Sequence, residues 1–114
     1  MKKNTQQNYI NKIPVPRQDL VWEQNDKNIV TLQLENKGFA NFLAQKLLKK
    51  PKISYIHLDE FGSFVWLQIN GTRDISAIGE LIRERFGEKA EPLYERLTQY
   101  FKTLEHYGFI TFLN

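Results

Sequence analysis

The chain has 114 residues, enough for one compact domain and too few for two of ordinary size. An apolar share of 41% with 13% aromatics marks a globular chain, and the absence of cysteine excludes disulfides, thiolate metal sites, iron–sulfur ligation and cysteine nucleophiles. The formal charge of +3 raises nucleic acid as a partner, yet it is unevenly spread: residues 1–52 hold ten Lys/Arg against four Asp/Glu, and residues 53–114 hold six against nine.

Residues 1–8 are polar and aperiodic and read as a disordered tail. No apolar stretch follows Met1-Lys2-Lys3, so no signal peptide is expected. The longest unbroken apolar run is Phe64–Leu67, too short to cross a bilayer, and the expectation is a soluble, cytoplasmic protein without membrane contact. Residues 9–16 place apolar side chains around Pro14 and Pro16 and predict an extended lead-in, not a helix. Leu20–Glu23 and Ile29–Leu34 predict a β-hairpin closed by the turn chemistry of Asn25-Asp26-Lys27-Asn28, with Val30, Leu32 and Leu34 on one face.

Between residues 36 and 52 the pattern changes. Phe39, Phe42, Leu43 and Leu47 recur at helical spacing beside Lys46, Lys49 and Lys50, and Pro51 ends the segment. Its simplest role is cover for the sheet; contact with a partner or a membrane surface is the alternative. Ile53–His57 predicts a third strand. Asp59 is placed to cap a helix over Glu60–Ile69 that is apolar nearly all round and so central to the fold. Asp74 caps a second helix over Ile75–Phe86, with Ile75, Ile78, Ile82 and Phe86 as its buried stripe and Gly87 just past its end. A third helix spans 92–107, with Pro92 in its first turn and Leu93, Leu97, Tyr100, Phe101 and Leu104 on one face. Gly108 stops it, and Phe109–Leu113 closes the chain as a short strand. The fold class is α+β: a small antiparallel three-stranded sheet followed by three helices, similar to a winged helix-turn-helix, in a single domain over 9–114 with an insertion at 36–52.

Catalysis finds little support. No Gly-rich phosphate loop is present, the Asp59-Glu60 pair is accounted for by helix capping, and His57 and His106 have no nucleophile or metal partner nearby in sequence. No catalytic residue, metal ligand or cofactor is assigned, and the expectation is that the protein is not an enzyme. The charges also argue against DNA. In a winged helix the groove-reading helix would be 92–107, where Glu95, Arg96, Lys102 and Glu105 cancel, and in 75–86 the charges of Glu80, Arg83, Glu84 and Arg85 cancel too. A DNA-binding or regulatory protein is therefore kept as the alternative, not the leading reading. Tyr94, Tyr100 and Tyr107 lie on the flanks of the last helix, and tyrosine suits a half-exposed groove. A sheet edge at 53–57 beside that helix would accept an extended peptide by strand addition.

The run His57-Leu58-Asp59-Glu60-Phe61-Gly62-Ser63-Phe64-Val65-Trp66, the turn Ile69-Asn70-Gly71-Thr72-Arg73-Asp74-Ile75, the helix from Ile78 to Phe86 and the ending Tyr107-Gly108-Phe109-Ile110 together resemble the PqqD-like proteins, the PQQ-biosynthesis protein D family of peptide chaperones. The resemblance covers residues 53–112 well and 9–34 more loosely. It implies a small winged helix-turn-helix that binds the leader of a ribosomally made precursor peptide and presents it to a modifying enzyme, often a radical-SAM protein. It also implies that the leader docks as an added strand between the third strand and the third helix. Carried over by position, that groove involves Ile53, Tyr55, Ile56 and His57 on the strand, with the alternate set that faces the groove left open, and Leu93, Leu97, Tyr100 and Leu104 on the helix. Segment 36–52 departs from the minimal family pattern, and a homodimer is left open by the exposed strand edges.

Overall fold

A computed structural model describes residues 8–35 and 53–114. Their elements, in chain order, are β1 (Pro14–Pro16), β2 (Trp22–Gln24), β3 (Val30–Glu35), β4 (Ile53–His57), α1 (Glu60–Gln68), α2 (Ile75–Phe86), a 3-10 turn (Gly87–Ala90), α3 (Leu93–His106) and β5 (Ile110–Phe112). Strands β2, β3 and β4 form an antiparallel sheet in that order, and the α+β class stands.

The hairpin closes where Asn25 supplies the turn. Its Oδ1 accepts from the Lys27 and Ile29 amides, and Asn28 takes a positive φ of 64°, a conformation Asn tolerates. The register pairs Trp22 with Leu32, Leu32 with Ile56, and Leu34 with Ser54. Directly paired residues share a face, so Trp22, Leu32, Leu34, Ser54 and Ile56 point toward the helices. Val30 and Leu32 are fully buried there. The first hairpin strand is shifted from the expected Leu20–Glu23. Leu20 turns into the core just before it, and the strand begins at Trp22.

Helix α1 begins at Asp59, whose carboxylate accepts from the Gly62 amide at 2.7 Å. Ser63, the buried polar residue of this helix, joins it to the sheet: its Oγ accepts from Val30 N at 2.8 Å and donates to Leu58 O at 3.3 Å. Val65 and Trp66 are buried, Phe61, Phe64 and Leu67 pack partly buried around them, and Ile69 ends the helix as its C-cap. Asp74 caps α2 through the Ala77 amide at 2.8 Å, and Ile75, Ile78 and Ile82 are fully buried. The α2–α3 approach is so close that a Cβ on Gly79 would lie 3.0 Å from the Tyr94 ring. After α2 the chain does not run as a plain linker. Gly87 at φ 59° turns it into the 3-10 segment, where Arg96 Nη1 donates to the carbonyls of Lys89 and Ala90 and its guanidinium stacks 3.8 Å from the Phe61 ring centroid. Pro92 is the N-cap of α3 rather than a member of its first turn.

Two further expectations change. The lead-in is not extended throughout: Asn8 and Tyr9 are helical, and only Pro14–Pro16 is a strand. That strand pairs antiparallel with β5, forming a second, two-stranded sheet the sequence did not announce. The lead-in also supplies the carbonyls of Lys12 and Ile10 to the Ile75 and Ser76 amides, which the first turn of α2 would leave without partners. The tail 1–7 and the segment 36–52 lie outside the described residues.

Candidate functional site: a groove between β4 and α3

Strand β4 is an edge strand among the described residues. Its bonding pattern follows from one contact beyond its end, where Leu58 N donates to Val30 O. In an antiparallel pair, bonded and non-bonded residues alternate. The ladder to β3 therefore runs through Ser54 and Ile56, in phase with Leu58. The main-chain N–H and C=O of Ile53, Tyr55 and His57 point the other way, along the outer edge. The same alternation governs the other side of β3, where Gln33 N donates to Val21 O.

Side chains follow the same parity. Ser54 and Ile56 turn toward the helices, while Ile53 and Tyr55 stand on the opposite face, 41% and 57% exposed. His57 is exposed at the strand's end, its Nδ1 sharing a 2.9 Å hydrogen bond with Thr31 Oγ1.

Between β4 and α3 lies an apolar cavity of about 460 Å³, walled by Leu32, Leu34, Ser54, Ile56 and Leu58 on one side and by Tyr100, Thr103, Leu104, Tyr107 and Phe109 on the other. Its polar walls are largely satisfied within the fold. Thr103 Oγ1 donates to Gln99 O at 2.8 Å, and Tyr100 OH donates to Gly62 O at 2.7 Å. A second, wider and more polar hollow of about 650 Å³ continues from it past Leu58 and Tyr100, which line both, to His57, Asp59, Glu95, Arg96 and Gln99. Tyr100 is thus the partition of one continuous groove. Its ring lies so near α1 that a Cβ on Gly62 would come within 3.3 Å of it. Burial, with the Asp59 carboxylate second, raises the Tyr100 phenol above its ordinary value of 10.0, so it stays a neutral donor.

The expected groove residues do not all meet here. Ile56, Tyr100 and Leu104 line the apolar cavity, and His57 and Tyr100 line the polar hollow. Leu93 and Leu97 are core residues, 1% and 0% exposed, and line neither, because both are packed wholly inside the hydrophobic core. Ile53 and Tyr55 touch the groove only through their main chain. Leu32, Leu34, Ser54, Leu58, Thr103 and Phe109 line the cavity without being among the expected groove residues, and Tyr107, expected as a flank tyrosine suited to a groove, joins them. The signal for Ser54 was present in the sequence: once Leu32 and Leu34 face inward, the pairing of β4 with β3 forces Ser54 and Ile56 to do the same.

Among the described residues no three His, Asp or Glu side chains gather as a metal site requires, and no helix is long and apolar enough to cross a membrane. Among the described residues the arrangement offers an outward row of main-chain donors and acceptors beside an apolar slot, which is a means of binding extended chain. A family model described as coenzyme PQQ synthesis protein D (PqqD) matches residues 30–110. That stretch holds β3, β4, the three helices and every groove residue named above. No curated protein and no solved structure matches the chain.

Proposed function

From its place in the coenzyme PQQ synthesis protein D family, to which the chain belongs, we propose that this protein binds the leader of a ribosomally made precursor peptide and presents it to a modifying enzyme of the radical-SAM kind. Members of the family are non-catalytic accessory proteins in the biosynthesis of PQQ and of ribosomally made, modified peptides. The observation that carries the proposal is the outer edge of β4, with its Ile53, Tyr55 and His57 main-chain groups, lying beside the apolar cavity. A leader aligned on that edge gains main-chain hydrogen bonds that are indifferent to sequence, and its alternate side chains enter the groove and supply preference. With no cysteine in the chain, redox or radical chemistry falls to the enzyme served.

The test is a titration of the isotope-labelled protein with the precursor peptide encoded beside its gene, followed by amide chemical shifts. Saturable shifts on residues 53–57 and on Thr103, Leu104 and Tyr107 are expected. Shifts confined to the hairpin turn, or none, would overturn the reading. Salt-sensitive DNA binding mapping to α3 would favour a DNA-binding protein instead.

A further inference from the structure

The turn between α1 and α2 holds a nucleophile and an electrophile side by side. Of the nine asparagines in the chain, Asn70 alone is followed by glycine. A side chain on the following residue shields that residue's nitrogen from the asparagine amide, and glycine has none. Gly71 takes a φ of 80°, its N–H has no hydrogen-bond partner among the described residues, and nothing beyond its chain neighbours lies within 4 Å of the place a Cβ would take. Asn70 is exposed, so water reaches the pair. The amide of Asn70 is held and polarised. Its Oδ1 accepts from Thr72 N at 3.0 Å, Thr72 Oγ1 at 2.9 Å and Arg73 N at 3.0 Å. Donors at that range stabilise the negative charge a carbonyl oxygen takes on when a nucleophile adds to its carbon. Arg73 Nη1 in turn donates to Gln68 O at 3.0 Å and ties the turn to the end of α1.

We propose that Asn70-Gly71 is a self-modification site, at which the side-chain amide of Asn70 is lost as ammonia and replaced by a carboxylate. Hydroxide takes the Gly71 N–H proton, and the electron pair left on that nitrogen attacks Asn70 Cγ. The three donors receive the charge that gathers on Oδ1. The Cγ–Nδ2 bond then breaks, ammonia leaves with a proton from water, and a five-membered succinimide closes between the two residues. Water opens the ring. Attack at Cγ leaves an aspartate in place of Asn70, with an oxygen still offered to the three donors. Attack at the main-chain carbonyl carbon leaves an isoaspartate, which puts one more main-chain carbon into the turn that spaces α1 from α2. Each event consumes one water, releases one ammonia and lowers the formal charge of +3 by one. Neither Asn70 nor Gly71 lines the groove, so the inference is independent of the peptide-binding reading.

The test is to incubate the folded full chain at neutral and mildly alkaline pH beside a blocked peptide of the same sequence, acetyl-Ile-Asn-Gly-Thr-Arg-amide. Ion exchange follows the acidic product, and mass mapping with an isoaspartate-specific methyltransferase places it. The product is expected at position 70, to form faster as pH rises, and to form in the folded chain at least as fast as in the peptide. Asn70→Asp is expected to give no further acidic species. Because Gly71 has a positive φ, a side chain there would strain the turn, and Thr72→Ala is the second variant. It removes one donor without touching the reacting pair and is expected to slow conversion about threefold, the worth of one hydrogen bond, while the circular dichroism spectrum is kept. Slower conversion in the folded chain than in the peptide, or none, overturns the proposal, since the turn would then protect the pair. Equal conversion at Asn28, which also has a positive φ but is followed by Ile29, overturns the selectivity for Asn70-Gly71. Conversion untouched by Thr72→Ala overturns the part given to the donors.

Discussion

Single atoms hold the groove's walls in place. The Ser63 hydroxyl is the partner of the Val30 amide, and both residues are buried. Ser63→Ala leaves that N–H without a partner and is expected to cost about 1–3 kcal/mol, read as a lower denaturant midpoint and faster exchange of the Val30 amide. Tyr100 is the second such point. Its phenol is raised above 10.0 by burial, and the Tyr9 phenol is pushed up to about 12 by burial and then by Glu105. A group whose folded pKa lies above its unfolded one gives stability that is complete below the unfolded value and lost as pH climbs toward the folded one. Stability is therefore expected to fall from about pH 10 upward. Tyr100→Phe should flatten part of that fall while costing about 1 kcal/mol at neutral pH for the lost bond to Gly62 O, as followed by denaturant unfolding across pH. The sequence foretold the Asp59 cap, because an N-cap is a local signal. It was silent on Ser63 and on Tyr100 with Gly62, whose partners lie 33 and 38 positions away.

At the scale of elements, β4 decides what the protein can bind. The ladder runs through Ser54 and Ile56, so proline has opposite effects at neighbouring positions. Tyr55→Pro removes an N–H that points outward, a place where edge strands accept proline. Ile56→Pro removes a ladder bond and a side chain packed on the core. Tyr55→Pro is expected to keep the native circular dichroism spectrum and lose leader binding at least tenfold, whereas Ile56→Pro is expected to unfold the sheet. Loss of binding by neither variant would rule out strand addition at this edge. The strands and helices themselves were legible, since Val30-Thr31-Leu32-Gln33-Leu34 alternates and the stripe of α3 repeats at helical spacing. Which face of α3 meets β4 was not legible. Leu93, Leu97, Phe101 and Leu104 share a stripe wide enough to be buried on one side and to border a groove on the other, and only packing divides it.

At the scale of the molecule, the lead-in straps the two ends of the described chain together. Beyond the β1–β5 pairing, Leu113 N donates to Ile13 O, Ile13 N to Asn114 Oδ1, and Arg17 Nη1 to Gly108 O. Tyr9 packs edge-to-face on Phe112 at 5.6 Å and lies under Lys102 of α3. A chain starting at residue 18 would leave the Ile75 and Ser76 amides at the head of α2 without their partners. It is expected to lose at least about 2 kcal/mol, with exchange protection lost first at those two amides and in β5. No periodicity pointed to this strap, because two prolines around one valine carry no strand pattern of their own. The pairs Arg17–Asp19, Arg83–Glu80, Arg83–Glu91 and Arg85–Glu60 are all solvent-exposed, and pairs of that kind contribute about 0–1 kcal/mol each.

The two tryptophans of the chain touch each other. Trp22 on β2 meets Trp66 of α1 edge-to-face with ring centroids 5.8 Å apart. Leu32, paired directly with Trp22, also walls the groove, which leaves one strand spacing, about 5 Å, between the pair and the groove's lining. Intrinsic tryptophan emission therefore watches two events, the hairpin leaving α1 and an occupant pressing on Leu32. An emission shift during a peptide titration that leaves the circular dichroism spectrum unchanged reports the groove, while the same trace during denaturation reports when the sheet parts from the helices.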